Sequence, residues 1–148
     1  MAFNRQTRML ANLSLSECYR RESNLTRQQR DEIMLQSAKE NLARFFTFFG
    51  LMEYQRESQL LLEHTFIGLK MSKDFSVRKG AMGTNYAAMS ESHWERVIER
   101  NLLDIRLYQY AKDLFFQRLK RAKIPLQQRE NMFEKVGVDF TYKFSSAG

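Results

Sequence analysis

Between residues 26 and 66 the apolar positions change period twice. From Arg27 to about Ala43, the positions Ile33, Met34, Ser37, Ala38 and Leu42 recur at spacings near three and four, which predicts an amphipathic helix, and Thr26 stands where a cap would. The next stretch, RFFTFFG over residues 44–50, places phenylalanines at 45, 46, 48 and 49. Successive side chains of a strand point to opposite faces, so these rings would need cover on both sides, as in an interior strand of a parallel sheet. After Gly50, Leu51, the triplet Leu60, Leu61 and Leu62, and Phe66 suit a helix packed back on that strand. The pattern therefore predicts strand, tight turn and helix. The alternative is one long buried helix from Thr26 through Phe66, against which Gly50 and the β-favouring rings argue.

The flanking segments are more local in character. Residues 1–25 predict a short helix and a loop, with Met9, Leu10, Leu13 and Leu15 as packing residues. Near Gly68 the period disappears. Ser92 followed by Glu95 has the spacing of a capping box and predicts a long helix from Ser92 to about Lys120. Its apolar stripe is Trp94, Val97, Ile98, Ile105, Tyr108, Ala111, Phe115 and Leu119. Asn101 falls on that stripe, where a buried amide needs partners; either the helix kinks there or the side chain ties down a neighbouring loop. Pro125 ends this architecture. Beyond it, Gln127 to Lys135 suggests a polar helix, and Val136, Val138, Phe140, Tyr142 and Phe144 alternate as in an edge strand.

A chain of 148 residues is about one domain. At 43% hydrophobic and 28% charged residues with a single proline, it is helix-rich and globular in composition. The net charge of +7 favours an anionic partner: nucleic acid, a phosphorylated cofactor, a membrane surface or an acidic polysaccharide. No run of about 18 apolar residues occurs, and MAFNRQTRML lacks a signal-peptide core, so these residues read as soluble and untargeted. Cys18 is the only cysteine, which excludes an internal disulfide and a thiolate metal cluster. Two sequons, Asn12-Leu13-Ser14 and Asn24-Leu25-Thr26, keep a lumenal origin open.

Candidate chemistry is sparse. Three glycines between 68 and 83, with Ser72, Ser76, Thr84, Arg78 and Lys79, offer backbone N–H groups and cations to a phosphate, but no GxxxxGK[ST] motif occurs. His64 and His93 have neither a nucleophile nor metal-ligand spacing beside them. Carboxylates such as Asp31 and Glu32 read as helix-surface charges. The basic run Arg118, Lys120, Arg121 and Lys123 is the best electrostatic patch, with no interleaved aromatics and no nucleic-acid motif.

Three blocks resemble one family, the heparan sulfate 6-O-sulfotransferases: NRQTRMLANLSLSECY from Asn4, FFGLMEYQRESQLLLEHTF ending at Phe66, and NLLDIRLYQYAKDLF from Asn101. The likeness runs over roughly residues 4–122. It implies an α/β, P-loop-like sulfotransferase fold, helix-rich here, with few of the central parallel strands present. It divides the chain into the C-terminal portion of a sulfotransferase domain, 1–124, and a divergent tail, 125–148. The activity implied is sulfuryl transfer from 3′-phosphoadenylyl sulfate (PAPS), without a metal, to the 6-hydroxyl of glucosamine units in heparan sulfate. The setting implied is the lumenal side of the Golgi membrane, in a glycoprotein held by an anchor absent from these residues, with no nucleic-acid partner.

The family's phosphosulfate loop, its 3′-phosphate-binding Arg and Ser and its catalytic His have no matching positions here. No catalytic residue is therefore assigned, and the chain is expected to be a truncated form inactive by itself. One cofactor element falls inside the likeness. The family loop F-M-Q-Y-N-S-T-R-A-G aligns from Phe75, which implies nucleotide contacts at Ser76, Val77 and Arg78 and near Met82 and Gly83. The competing expectation is a non-catalytic basic module that binds heparin-like polyanions or nucleic acid.

Overall fold

The computed structural model describes residues 3–73, 75 and 90–126. Five helices form within them: α1 (Arg5–Leu10), α2 (Arg27–Phe45), α3 (Gln55–Thr65), α4 (Glu91–Arg100) and α5 (Leu102–Arg121), with a single 3₁₀ turn at Met52–Tyr54 before α3. The core lies between α2 and α5. Met34, Leu35, Ala38 and Leu42 of α2 meet Leu103, Leu107 and Ala111 of α5, with Leu10, Leu13 and Cys18 packed at the edge. A second cluster joins Leu51 and Leu61 to Phe115 and Leu119, so α5 serves both through one stripe at every fourth residue.

The signals of α2 act as expected. Thr26 Oγ1 accepts from the Gln29 N–H at 3.2 Å, and Gln29 Oε1 accepts from the Thr26 N–H at 2.8 Å, a reciprocal capping box. At the other end Arg118 of α5 donates to the Ala43 carbonyl at 3.4 Å and to the Thr47 carbonyl at 3.2 Å. Its guanidinium also lies 4.9 Å from the centre of the Phe49 ring. A cation there satisfies orphan carbonyls and complements the helix dipole.

The strand expected at residues 45–49 does not form. Helix α2 continues through Phe45, and residues 46–50 are an irregular extended connector. A strand requires a hydrogen-bonding neighbour, and among the described residues no strand exists, in keeping with the expected helix-rich portion with few central strands. The long helix through Phe66 does not form either, because the connector breaks it. The four rings divide: Phe48 and Phe49 pack inward, whereas Phe45 is 71% exposed and Phe46 also faces solvent. Phe49 touches both clusters, and its ring lies 6.3 Å from that of Phe115.

At the turn into α3, the Leu51 N–H donates to Ser58 Oγ at 3.0 Å. The same hydroxyl lies 3.3 Å from the Leu51 carbonyl. Proximity favours glycine at position 50: a Cβ there would stand 3.0 Å from both Cβ and Oγ of Ser58.

The single helix expected from Ser92 to Lys120 is two. Asn101 separates α4 from α5, and its amide nitrogen donates to the Val97 carbonyl at 2.8 Å. Helix α4 begins after Ser90, two residues earlier than the expected cap. The Ser90 hydroxyl contacts the side chains of Ser92 and His93 instead of capping the backbone. The inward stripe is Leu103, Leu107, Ala111, Phe115 and Leu119; Val97 and Tyr108, expected on it, are exposed. Met9 and Leu15 are exposed as well, whereas Leu10 and Leu13 pack as expected. The expected elements after Pro125, Gln127 to Lys135 and Val136 to Phe144, lie outside the described residues.

Candidate functional site

Two joints organise the polar chemistry. The first links α1 to the start of α5. Asp104 accepts from the Thr7 N–H and the Thr7 hydroxyl, each at 2.7 Å, and from the Gln6 N–H at 3.1 Å, so it caps α1 from another helix. In return Asn4 Oδ1 accepts from the N–H groups of Leu103 at 3.0 Å and Asp104 at 3.3 Å, capping α5. Asn101 Oδ1 accepts from the Asn4 N–H at 3.2 Å. Asn4 adopts a left-handed conformation, φ 52, which asparagine tolerates better than most residues. The far end of α1 is held to α2: Asn41 donates to the Leu10 carbonyl at 2.7 Å, and the Asn12 N–H donates to Ser37 Oγ at 2.9 Å.

The second joint is a cleft of about 280 Å³ beside α3, lined by Arg56, Gln59, Leu60, Glu63, Lys70 and Met71. Residues after α3 return along it. The Met71 N–H donates to Glu63 Oε1 at 3.0 Å and the Phe75 N–H to Gln59 Oε1 at 2.7 Å. Glu63 also accepts from Gln59 at 3.1 Å; this bond, then the one from Met71, holds its carboxyl below the ordinary value of 4.5. Arg56 and Lys70 therefore share the cleft with a fixed carboxylate. This composition does not fit PAPS: an ionised Glu63 opposes phosphate, and the cleft's two N–H donors named above are already spent on side chains.

The positions singled out for nucleotide contact, Ser76, Val77, Arg78, Met82 and Gly83, lie outside the described residues, as do Lys79 and Thr84. Of the described residues, Phe75 stands next before them in sequence, and its N–H is held by Gln59. Sequence reasoning did not find Gln59 and Glu63; their signal is a polar pair four residues apart on a helix otherwise rich in leucine.

The remaining candidates resolve as local structure. His64 is exposed on α3, and His93 contacts Ser90 across the first turn of α4 at 2.5 Å. Asp31 lies 4.0 Å from Arg27, and Glu32 pairs with Arg106 of α5 through both carboxylate oxygens. The hydrogen bond from Arg106 is what chiefly lowers the Glu32 carboxyl and raises the Arg106 guanidinium. Within the basic run, Arg118 is committed to carbonyls of α2 and its connector; burial first, and Arg121 second, push its guanidinium down. Cys18 is a half-buried free thiol 3.1 Å from Ser16 Oγ. Among the described residues no group of three or more metal-ligating side chains occurs, and no helix is long and apolar enough to cross a membrane.

Zebrafish (Danio rerio) heparan-sulfate 6-O-sulfotransferase 2 is 46% identical over 126 residues, 83% of this chain and 25% of that protein. Human heparan-sulfate 6-O-sulfotransferase 3 is 44% identical over 133 residues, 88% of the chain and 27% of that protein. Human heparan-sulfate 6-O-sulfotransferase 1 is 45% identical over 134 residues, 88% and 30% respectively. The chain thus spans about a quarter to a third of the length of these relatives. The profile of the sulfotransferase family matches residues 1–111, and on that match, across most of the helical core, the chain belongs to the sulfotransferase family.

Proposed function

We propose that these 148 residues are the C-terminal portion, 1–124, of a heparan sulfate 6-O-sulfotransferase domain followed by a divergent tail, 125–148. The whole domain transfers a sulfuryl group from PAPS to the 6-hydroxyl of glucosamine in heparan sulfate, on a P-loop-like fold and on the lumenal side of the Golgi membrane. The observation that carries this reading is the 44–46% identity to three 6-O-sulfotransferases over more than four fifths of the chain. The resembling blocks build α1 with its clasp, the α3 turn and the face of α5, all scaffold elements, and the catalytic base and phosphosulfate loop belong to the rest of the domain. Ser76, Val77, Arg78, Met82 and Gly83 are the nucleotide contacts that this reading assigns to the chain. Asn12 and Asn24 are both exposed, so both sequons are accessible for lumenal glycosylation.

A chimera tests the proposal. The chain is joined to the polypeptide that precedes the matched stretch in human heparan-sulfate 6-O-sulfotransferase 3, and sulfate transfer from radiolabelled PAPS to 6-O-desulfated heparin is followed. Transfer by the chimera and none by the 148 residues alone is the expected result. A folded chimera without transfer, or transfer by the chain alone, overturns it.

A further inference from the structure

The chain that returns along α3 is not held there by its own side chains. From Phe66 to Lys73, and again at Phe75, every residue is exposed, so burial contributes little to fixing this segment. Two side chains of α3 fix it instead. Gln59 is only 6% exposed, and both ends of its amide are engaged: Oε1 accepts from the Phe75 N–H at 2.7 Å, and Nε2 donates to Glu63 Oε1 at 3.1 Å. The same Glu63 oxygen accepts from the Met71 N–H at 3.0 Å. An ionised carboxylate only accepts, so Glu63 turns the Gln59 nitrogen towards itself and leaves the Gln59 oxygen to Phe75. The pair is a relay with two backbone anchors, and both anchors lie beyond the helix that carries it.

The residue after the second anchor is Ser76, the first of the nucleotide contacts assigned above. Three residues of chain span at most roughly 11 Å, so the point at which Phe75 is held bounds where Ser76, Val77 and Arg78 can reach. We propose that Gln59 and Glu63 are positioning residues for the sulfate donor: by holding the Met71 and Phe75 N–H groups they set the point from which the chain enters its nucleotide contacts. The inference rests on the domain reading above and adds to it two residues that act through the backbone of others. Loss of the relay leaves the chemical step alone and lowers the fraction of molecules whose contacts are in place. The apparent KM for PAPS then rises by the inverse of that fraction.

The chimera described above tests this through the split between KM and kcat. Gln59→Leu is expected to raise the KM for PAPS at least tenfold, with kcat and the KM for 6-O-desulfated heparin within twofold of the parent. Gln59→Glu keeps an acceptor for Phe75 but sets it against the Glu63 carboxylate, and is expected to raise the same KM at least fivefold. Adding Glu63→Gln to that variant again places a donor opposite an acceptor, and is expected to bring the KM back within threefold of the parent. Asp104→Ala, which loosens the α1–α5 clasp instead, is expected to lower the thermal midpoint without moving the KM for PAPS. An unchanged KM in Gln59→Leu, no recovery in the exchanged pair, or a fall in kcat in place of the rise in KM would each overturn the inference. If Gln59→Leu fails to fold, the exchanged pair, which keeps side-chain size and both backbone acceptors, decides alone. A parent chimera without transfer overturns the domain reading and this inference with it, whereas an active parent with an unmoved KM overturns this inference only.

Discussion

Asn4 and Asp104 cap each other's helices: the side chain of each accepts hydrogen bonds from the first turn of the helix that the other begins or belongs to. Thr7, the buried centre of this exchange, has no exposed surface. Asp104→Ala should destabilise the chain by about 1–2 kcal/mol, the scale of a lost cap with charge-assisted bonds. Thermal unfolding should register this as a fall of roughly 2–4 °C per kcal/mol for a domain of this size. Asp104→Asn should lose less, and a double-mutant cycle with Thr7→Ala should show coupling. Additive effects would mean that the two side chains act independently.

The two kinds of phenylalanine separate in energy. Phe115 is fully buried between Leu51, Leu61 and Leu119, and Phe115→Ala should cost about 3–5 kcal/mol. Phe45→Ala, at an exposed helix end, should change stability by less than about 0.5 kcal/mol. Urea midpoints measured side by side decide this; equal shifts would refute the inward–outward division of the Phe run.

Gly50→Ala should be destabilising by about 1–3 kcal/mol, because the added methyl displaces Ser58 from Leu51. Trimming the serine as well should not restore stability, since Gly50→Ala/Ser58→Ala leaves the Leu51 N–H without its acceptor. A double variant as stable as the parent would show that the hydrogen bond contributes nothing.

The Glu63 carboxyl lies below its ordinary value because hydrogen bonds from Gln59 and from the Met71 N–H favour the ionised form. A depressed folded-state value means that its stabilisation is present above the unfolded-state value of about 4.5 and is lost as pH falls through the folded-state value. The Met71 amide should therefore lose hydrogen-exchange protection, after correction for intrinsic rates, as pH drops below about 4.5. Glu63→Gln should remove that pH dependence. Protection that is flat with pH in the parent chain would contradict the assignment.

Local signals were legible in the sequence and partner-dependent ones were not. Thr26 caps α2 as its place in the sequence indicates, and α2 follows from its apolar period. The Phe run misleads because dense aromatic residues describe burial without saying what supplies the cover; a strand is defined by its neighbour, and none lies among the described residues. Asn101 shows both sides. Its place on an apolar stripe signals a need for partners, and the structure answers both ways, with a helix break and a bond to the Asn4 N–H. That Asn4 would be the partner has no local sign. The candidate site is less legible still: Ser76, Val77, Arg78, Met82 and Gly83 rest on family likeness, whereas the cleft beside α3 depends on a chain reversal after that helix.

The clasp between α1 and α5 also sets an order of events. Its bonds join residues 97 to 100 positions apart, whereas the cap of α2 closes over three. Bringing such distant segments together costs about 4 kcal/mol of loop-closure entropy, from the logarithmic dependence on length. The α1–α2 bonds, over 25 and 31 positions, and the α2–α5 contacts shorten that loop in advance, so the clasp itself should close late. Stopped-flow kinetics of Asp104→Ala should then show faster unfolding with a nearly unchanged folding rate. On this view the clasp is the last joint to close, and it acts as a latch on the rate of opening.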